Sequence, residues 1–413
     1  MMRSLFSGVS GLRNHQMFLD VIGNNIANVN TMGFKSSRVT FKDTLNQTIK
    51  GAAIPDNGKG GTNAQQVGFG TSVGSIDTMF SQGSLQSTGV STDLAIQGDS
   101  FFVLSDGNSK YFSRGGAFSL DSVGNMVDPR TGLIVQGKMA TDGTISASAS
   151  VENISIPKNI TSRPNPTTAV TIKGNLDSDA ADGDQAISSY VVYDSLGTPI
   201  TLTTAFTWDE TNSEWDYTIT APAGASFVSG DTGSITFDAD GKIATGSPTT
   251  VEIAPGTGAA NINIALNFGT IGDTDGITGY ASASSIALDS QDGFKSGILK
   301  NFSIGGDGSI NGIFDNGQSQ LLAIMVLANF NNPGGLVKEG DNVFSPSANS
   351  GTENVVDANL SGSTIAAGAL EMSSVDLAQE FTNMIIAQRG FQANSRIITT
   401  SDEILQELVN LKR

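Results

Sequence analysis

The chain offers few of the side chains that carry covalent or metal chemistry. It has one histidine, His15, and no cysteine. A Ser–His–Asp triad or an imidazole base would have to run through that one residue. His15 falls inside an N-terminal helical pattern, beside an apolar stripe. A zinc site needs several nitrogen or sulfur ligands, and neither a second histidine nor a thiolate is present. Asp273-Thr274-Asp275-Gly276 and Asp238-Ala239-Asp240-Gly241 have the alternate carboxylates that open calcium loops. Neither is followed by the remaining ligands of such a loop, so both are expected to be Asp-Gly turns. Gly58-Lys59-Gly60-Gly61-Thr62 faintly suggests a phosphate loop. No Ser or Thr follows the lysine directly and no strand leads in, so a solvated loop is expected. The 40 acidic residues allow many carboxylate pairs of glycosidase type, and none stands out. No catalytic residue, cofactor site or metal site is expected.

Composition points the same way. The 413 residues are enough for two or three domains. With 49 glycines and abundant Ser, Thr, Asn and Asp, the chain favours strands joined by tight turns. A net charge of −18 argues against nucleic acid or an anionic membrane as partner, since both need a basic surface. No stretch approaches the roughly 20 apolar residues of a membrane span. The opening MMRSLFSGVSGLRNHQ has neither an apolar run nor a small-residue cleavage site. Any export is expected to use a route that cleaves no leader. Without cysteine, disulfides and thiol chemistry are out.

The strongest periodic signal lies at the two ends. Leu5, Leu12, Leu19 and Ile26 are spaced by seven, and so are Leu377, Met384, Phe391, Ile398 and Leu405. Seven-residue spacing keeps one stripe facing a partner helix over a long contact. Residues 4–29 read as a helix, with Val9 and Ile22 joining the stripe and Ser4 as a possible cap. Residues 371–411 read as one helix, with Phe381 and Leu408 added to its stripe. If continuous it spans roughly 60 Å. Gly390 inside it suggests close packing or local flexibility. Phe6, Met17, Phe18 and Val21 fall off the first stripe, so a second contact surface is expected. Neither helix can hide its stripe alone, and these stripe residues form the expected assembly interface.

Between the ends the pattern is β. Residues 34–72 read as an extended or partly ordered connector. Residues 73–147 and 291–369 carry short strands and Gly-rich turns and form an inner β domain. There Leu321–Leu327 is an apolar run of doubly buried strand length. Residues 148–290 alternate strictly, as in Leu202, Thr204, Phe206, Trp208 and in Ile262, Ile264, Leu266, Phe268. That is the pattern of half-buried antiparallel strands in a separate inserted domain. The expected fold class is α+β, mainly β. It is a nested chain in which residues 1–33 and 370–413 pair as a coiled coil around the inner and outer β domains.

Several of these residues carry a resemblance. Ser10-Gly11-Leu12, Leu19-Asp20-Val21-Ile22-Gly23-Asn24-Asn25-Ile26-Ala27-Asn28 and Gly33-Phe34-Lys35 resemble the N-terminal signature of bacterial flagellar rod and hook proteins. Gly368-Ala369-Leu370-Glu371, Ser374-Val375-Asp376-Leu377 and Ala387-Gln388-Arg389 are similar to that family's C-terminal signature. Rod members are usually far shorter. Val192-Tyr193-Asp194-Ser195-Leu196-Gly197 and Ile277-Thr278-Gly279-Tyr280 resemble the outer domain of the hook members.

The resemblance implies a structural, non-enzymatic subunit that polymerises into a curved hollow tube and passes torque from rod to filament. It implies terminal helices lining the channel and β domains outside. As partners it implies further copies of the chain, the distal rod and hook–filament junction proteins, and, during assembly, the hook cap and export apparatus. Phe41 and Leu45 are similar to a short export motif, although any helix face shows such spacing. The ends are expected to order on assembly. Two rival readings remain: a distal rod protein, and an acidic secreted β-rich adhesin or glycan-active protein, for which Trp208 and Trp215 would supply the aromatics.

Overall fold

The computed structural model describes residues 2–55, 60–146 and 148–410. It is mainly β with two helices, α1 (Met2–Ala27) and α2 (Leu377–Asn410). The side chain of Leu408, and Gly58 and Lys59 of the phosphate-loop-like segment, lie outside the described residues. Contacts divide the chain into two compact units. One is built from the residues up to Pro157, from Ser303–Asn311 and from Leu321 onward; the other from Lys158–Phe302 and Gly312–Gln320.

In the first unit, α1 begins at Met2, so Ser4 stands in its first turn and does not cap it. The chain leaves α1 through Gly33, whose φ of 70° suits glycine and whose added Cβ would lie 2.7 Å from the Gly115 nitrogen. Helix α2 begins six residues later than its apolar pattern suggests. Asp376 Oδ1 accepts hydrogen bonds from the Ala378 and Gln379 nitrogens at 2.9 and 3.2 Å, which fixes the start. Ala369–Glu371 pairs instead as a strand with Leu85–Ser87. With 34 residues, α2 is about 51 Å long.

The segment expected as a connector forms antiparallel ribbons. Ser37–Asp43 pairs with Thr71–Thr78, and Asn46–Lys50 with Gln65–Gly68. The sheet of this unit centres on the run containing Leu321–Leu327. Its residues pair with Ile134–Met139, Phe101–Ser105 and Asn354–Asp357, and consecutive side chains Met325–Ala328, which point to both faces, are buried. Phe101–Ser105 continues to Lys110–Ser113, and that strand to Val343–Ser345. One face packs edge-to-face phenylalanines. Phe112 and Phe330 are 4.8 Å apart between centroids, and Phe101 and Phe80 are 5.4 Å apart.

The second unit has two sheets whose inner faces share one core. One is an antiparallel meander running through Gln185–Tyr193, Pro199–Asp209, Glu214–Thr220, Thr232–Phe237 and Ile243–Thr245. The other includes Ala169–Asn175, paired parallel to Ile262–Asn267 and antiparallel to Ala287–Gln291. The alternation seen in the sequence sets the inward faces. Leu202, Thr204 and Phe206 are buried on one sheet, and Ile262, Ile264 and Leu266 on the other. Phe206, Tyr217 and Phe268 meet in the middle, 5.3–6.3 Å apart. Most of the large apolar side chains lie inside this unit, and its outward strand positions are mainly Ser, Thr and charged residues, with Ile187, Val191 and Val228 as exposed exceptions.

Candidate assembly interface

The two helices lie against each other antiparallel. Gly8 faces Ile398, Gly11 faces Asn394, His15 faces Gly390, and Asn25 Nδ2 donates to Glu380 Oε1 at 3.2 Å. Numbers rise along one helix as they fall along the other. The contact row is made of small residues. A Cβ on Gly11 would lie 2.8 Å from the Asn394 amide, and one on Gly390 would lie 2.4 Å from the His15 ring. Small residues let backbones approach closely, and Ala387 and Ser401 are buried in the same row.

The sequence-derived stripe borders this row. Ile22 is buried in it. Leu5, Leu12, Leu19 and Ile26 are half-buried beside it, and Val9 is exposed. On α2, Met384, Phe391, Ile398 and Leu405 are half-buried, while Leu377 and Phe381 are exposed. The outer faces keep large apolar side chains in solvent, with Phe6 63% and Ile385 59% exposed.

A buried ionic knot joins the helix ends to the sheet. Lys35 Nζ donates to Glu371 Oε1 at 2.7 Å and to the Ser81 carbonyl at 2.8 Å, and both side chains of the pair are fully buried. The Gly83 nitrogen donates to the same Oε1 at 2.8 Å. Arg114 lies on the other side of the carboxylate, with Nη1 3.7 Å from Oε2 and its guanidinium 5.0 Å from the Phe101 ring centroid. Burial pushes the Lys35 ammonium below its ordinary range, with Glu371 opposing, and burial lowers Arg114 as well. One carboxylate thus serves two buried cations from distant parts of the chain. Both Lys35 and Glu371 sit in the signature segments, but their pairing across 336 residues has no local trace.

A second joint lies beside the knot. Asn25 Nδ2 donates to the Ser37 carbonyl at 2.8 Å, and the Ser37 nitrogen donates back to Asn25 Oδ1 at 2.9 Å. Glu380 receives one Asn25 bond, and its Oε2 is buried with no hydrogen-bond partner. Burial pushes this carboxyl above its usual range, the Asn25 bond works against that, and nearby Asp376 adds to it. Glu380 lines a groove of about 420 Å³ with Phe18, Val21, Val39, Met79 and Asn383.

The other candidates are placed as follows. Phe41 sits on the ribbon strand and packs on α1, 6.0 Å from the His15 ring and 5.8 Å from Phe18. Leu45, just past that strand, is 84% exposed. The Asp-Gly segments are turns that use their own carboxylates. Asp275 Oδ1 and Oδ2 each take a 2.7 Å bond from Thr270, and Asp238 Oδ1 takes bonds from the Asp240 and Lys242 nitrogens. Trp208 and Trp215 lie 5.5 Å apart, with Trp215 buried in the core of the second unit.

Comparison with known proteins matches family models along most of the chain. Residues 5–35 match the flagella basal body rod protein model, and residues 95–181 the flagellar hook protein FlgE/F/G D1 domain. Residues 158–294 match the flagellar basal body protein FlaE D2 domain, and 366–411 the flagellar basal body rod FlgEFG protein C-terminal model. The flagellar hook protein FlgE of Borreliella burgdorferi is 41% identical over 448 aligned residues, covering all of both chains. That of Treponema pallidum is 40% identical over 463, again over both full lengths. The flagellar basal-body rod protein FlgG of Bacillus subtilis is 34% identical over 415 with the same coverage.

Proposed function

Because this chain belongs to the flagellar hook protein family, we propose that its paired ends are the surface through which copies stack into a hollow tube. The protein is a structural subunit of the bacterial flagellar hook, a motility structure built by self-polymerisation. The finer assignment is to the helices. The observation that carries it is the large apolar side chains left in solvent on both helices outside their mutual contact row, Phe6 and Ile385 among them. Exposed apolar surface of this kind on a charged chain marks a contact with another molecule.

In this reading the coiled-coil layer, residues 1–33 and 370–413, holds the tube together. The β layers, residues 73–147 with 291–369 and residues 148–290, lie outside it. The mainly polar exterior of the second unit supports contacts that are cheap to exchange, as bending under torque requires. The distal rod and hook–filament junction proteins meet the two ends of the tube, and the hook cap and export apparatus handle the subunit before it is built in. Phe41 and Leu45, both exposed in the folded chain, are candidates for recognition at that stage.

The test is electron microscopy of the full chain after concentration and salting-out, beside a copy trimmed at both helices. Curved hollow tubes from the full chain alone are the expected result. Compact monomers that form no tubes under any condition would overturn the reading. The similarity to a protein named as a basal-body rod protein keeps a distal rod as second reading, and straight tubes would favour it.

A further inference from the structure

The first unit carries a groove and a helix face that complement each other. The groove beside the Asn25–Ser37 joint has apolar walls, Phe18, Val21, Val39 and Met79, and holds the Glu380 carboxylate with its unpartnered Oε2. Arg38 also lines it but is turned to Asp77, 3.6 Å away and largely in solvent. On α2, Arg389 and Arg396 are both exposed, and neither has an ion-pair partner among the described residues. They are seven residues apart and so share one face. Each stands two residues on from Ala387 or Asn394 of the contact row, which puts that face about 200° round the helix, away from α1. Ile385, exposed four residues before Arg389, supplies an apolar side chain to the same face.

We propose that the groove lined by Glu380 receives the Arg389–Arg396 face of α2 from a second copy of this chain, the Glu380 side chain turning outward so that Oε2, closed off in the single subunit, accepts from a guanidinium. The occupant follows from charge and shape. A carboxylate between apolar walls needs a donor carried on an apolar stem, and arginine is one. In a chain of net charge −18, uncompensated arginines on an exposed helix face are matched to acidic sites. Donor and acceptor lie on different faces of the same subunit, so the contact is head-to-tail, which yields an open helical polymer when its rotation does not close into a ring. Along α2, Arg389 and Arg396 stand about 13 and 24 Å from the level of Glu380, and the stagger between contacting copies matches one of these. The inference rests on the reading that copies polymerise through their helical ends.

The experiment compares the full chain with Glu380→Arg, with Arg389→Glu/Arg396→Glu, and with an equimolar mixture of those two variants. The concentration at which tubes first sediment is measured, with electron microscopy and circular dichroism beside it. Each variant alone is expected to raise that concentration about tenfold or more, and the mixture to bring it back to within about threefold of the parent chain. Glu380→Gln guards against misfolding: it is expected to leave the isolated subunit at least as stable and still to weaken assembly. Folded variants that assemble at the parent's concentration would overturn the groove contact while leaving polymerisation intact. A mixture no better than its components would overturn the pairing. A parent chain that forms no tubes at all would remove the assembly reading and this proposal together.

Discussion

A single carboxylate, Glu371, is shared by Lys35 and Arg114 with none of the three in solvent. Breaking a buried pair by removing one partner costs about 3–5 kcal/mol, because an uncompensated charge stays inside. Lys35→Met removes one of two cations and leaves Arg114 to balance the carboxylate. Glu371→Leu strands both cations. Chemical denaturation of the isolated subunit should therefore show Glu371→Leu as the more damaging change, with Lys35→Met lowering stability by about 3 kcal/mol. Glu380 makes a second prediction. Its folded-state carboxyl is raised above the usual value by burial, so the folded chain favours the protonated form. That contribution is fully present below the unfolded carboxyl range and is lost as pH rises through the folded value. Glu380→Gln should stabilise the isolated subunit near neutral pH, and the gain should vanish on acidification in a denaturation series run across pH. None of this was legible in the residues alone. Lys35 and Glu371 stand in segments of recognisable pattern, but only the fold brings them within 2.7 Å.

For the elements, sequence periodicity works where the inward side chains are large. Alternation places the inner faces of the second unit in Pro199–Asp209, Glu214–Thr220 and Ile262–Asn267, where Ile, Leu, Phe, Trp or Tyr alternate with small or polar residues, but not in Gln185–Tyr193, which buries Ser188 and exposes Ile187. It also gives both helices, missing their starts because Met2 precedes the Ser4 cap candidate and because Asp376 caps α2 late. The central row of the helix pair is hidden from such counting, since Gly8, Gly11, Ala387 and Gly390 add nothing to an apolar stripe. Gly390 alone showed a local signal, as a glycine inside a long helix. Gly390→Ala tests the row. Helix propensity gains about 1 kcal/mol, but the new methyl falls on the His15 ring, and overpacking costs about 1–3 kcal/mol. Thermal melts followed at the helix signal should show a net loss, recovered when His15→Ala is added to the same chain. The flanking stripe has its own test. Leu19→Asp or Phe391→Asp puts a charge beside the seam and should abolish tubes while leaving the strand signal of circular dichroism unchanged.

Across the whole molecule, the charge balance opposes the assembly that the helices favour. Stacking copies of net charge −18 brings like charges together, and salt screens that repulsion over about 10 Å at 0.1 M. Raising salt from about 10 to about 150 mM should lower the concentration needed for polymerisation, read by light scattering. A rise would mean that attractive ion pairs govern the tube more than net repulsion does.

The antiparallel pairing of the two ends also has a temporal meaning. Asn25 and Glu380 meet across 355 residues of chain, and closing so long a loop costs about 5 kcal/mol of entropy before any contact repays it. The ribosome completes α1 long before α2 exists, so the earliest segment waits for the latest. Whichever strands have already found their neighbours, an interrupted translation product carries an α1 without its mate. If copies seat on the closed ends as proposed, the pairing acts as a check on chain length, and truncation before Leu377 should leave a chain whose ends cannot close.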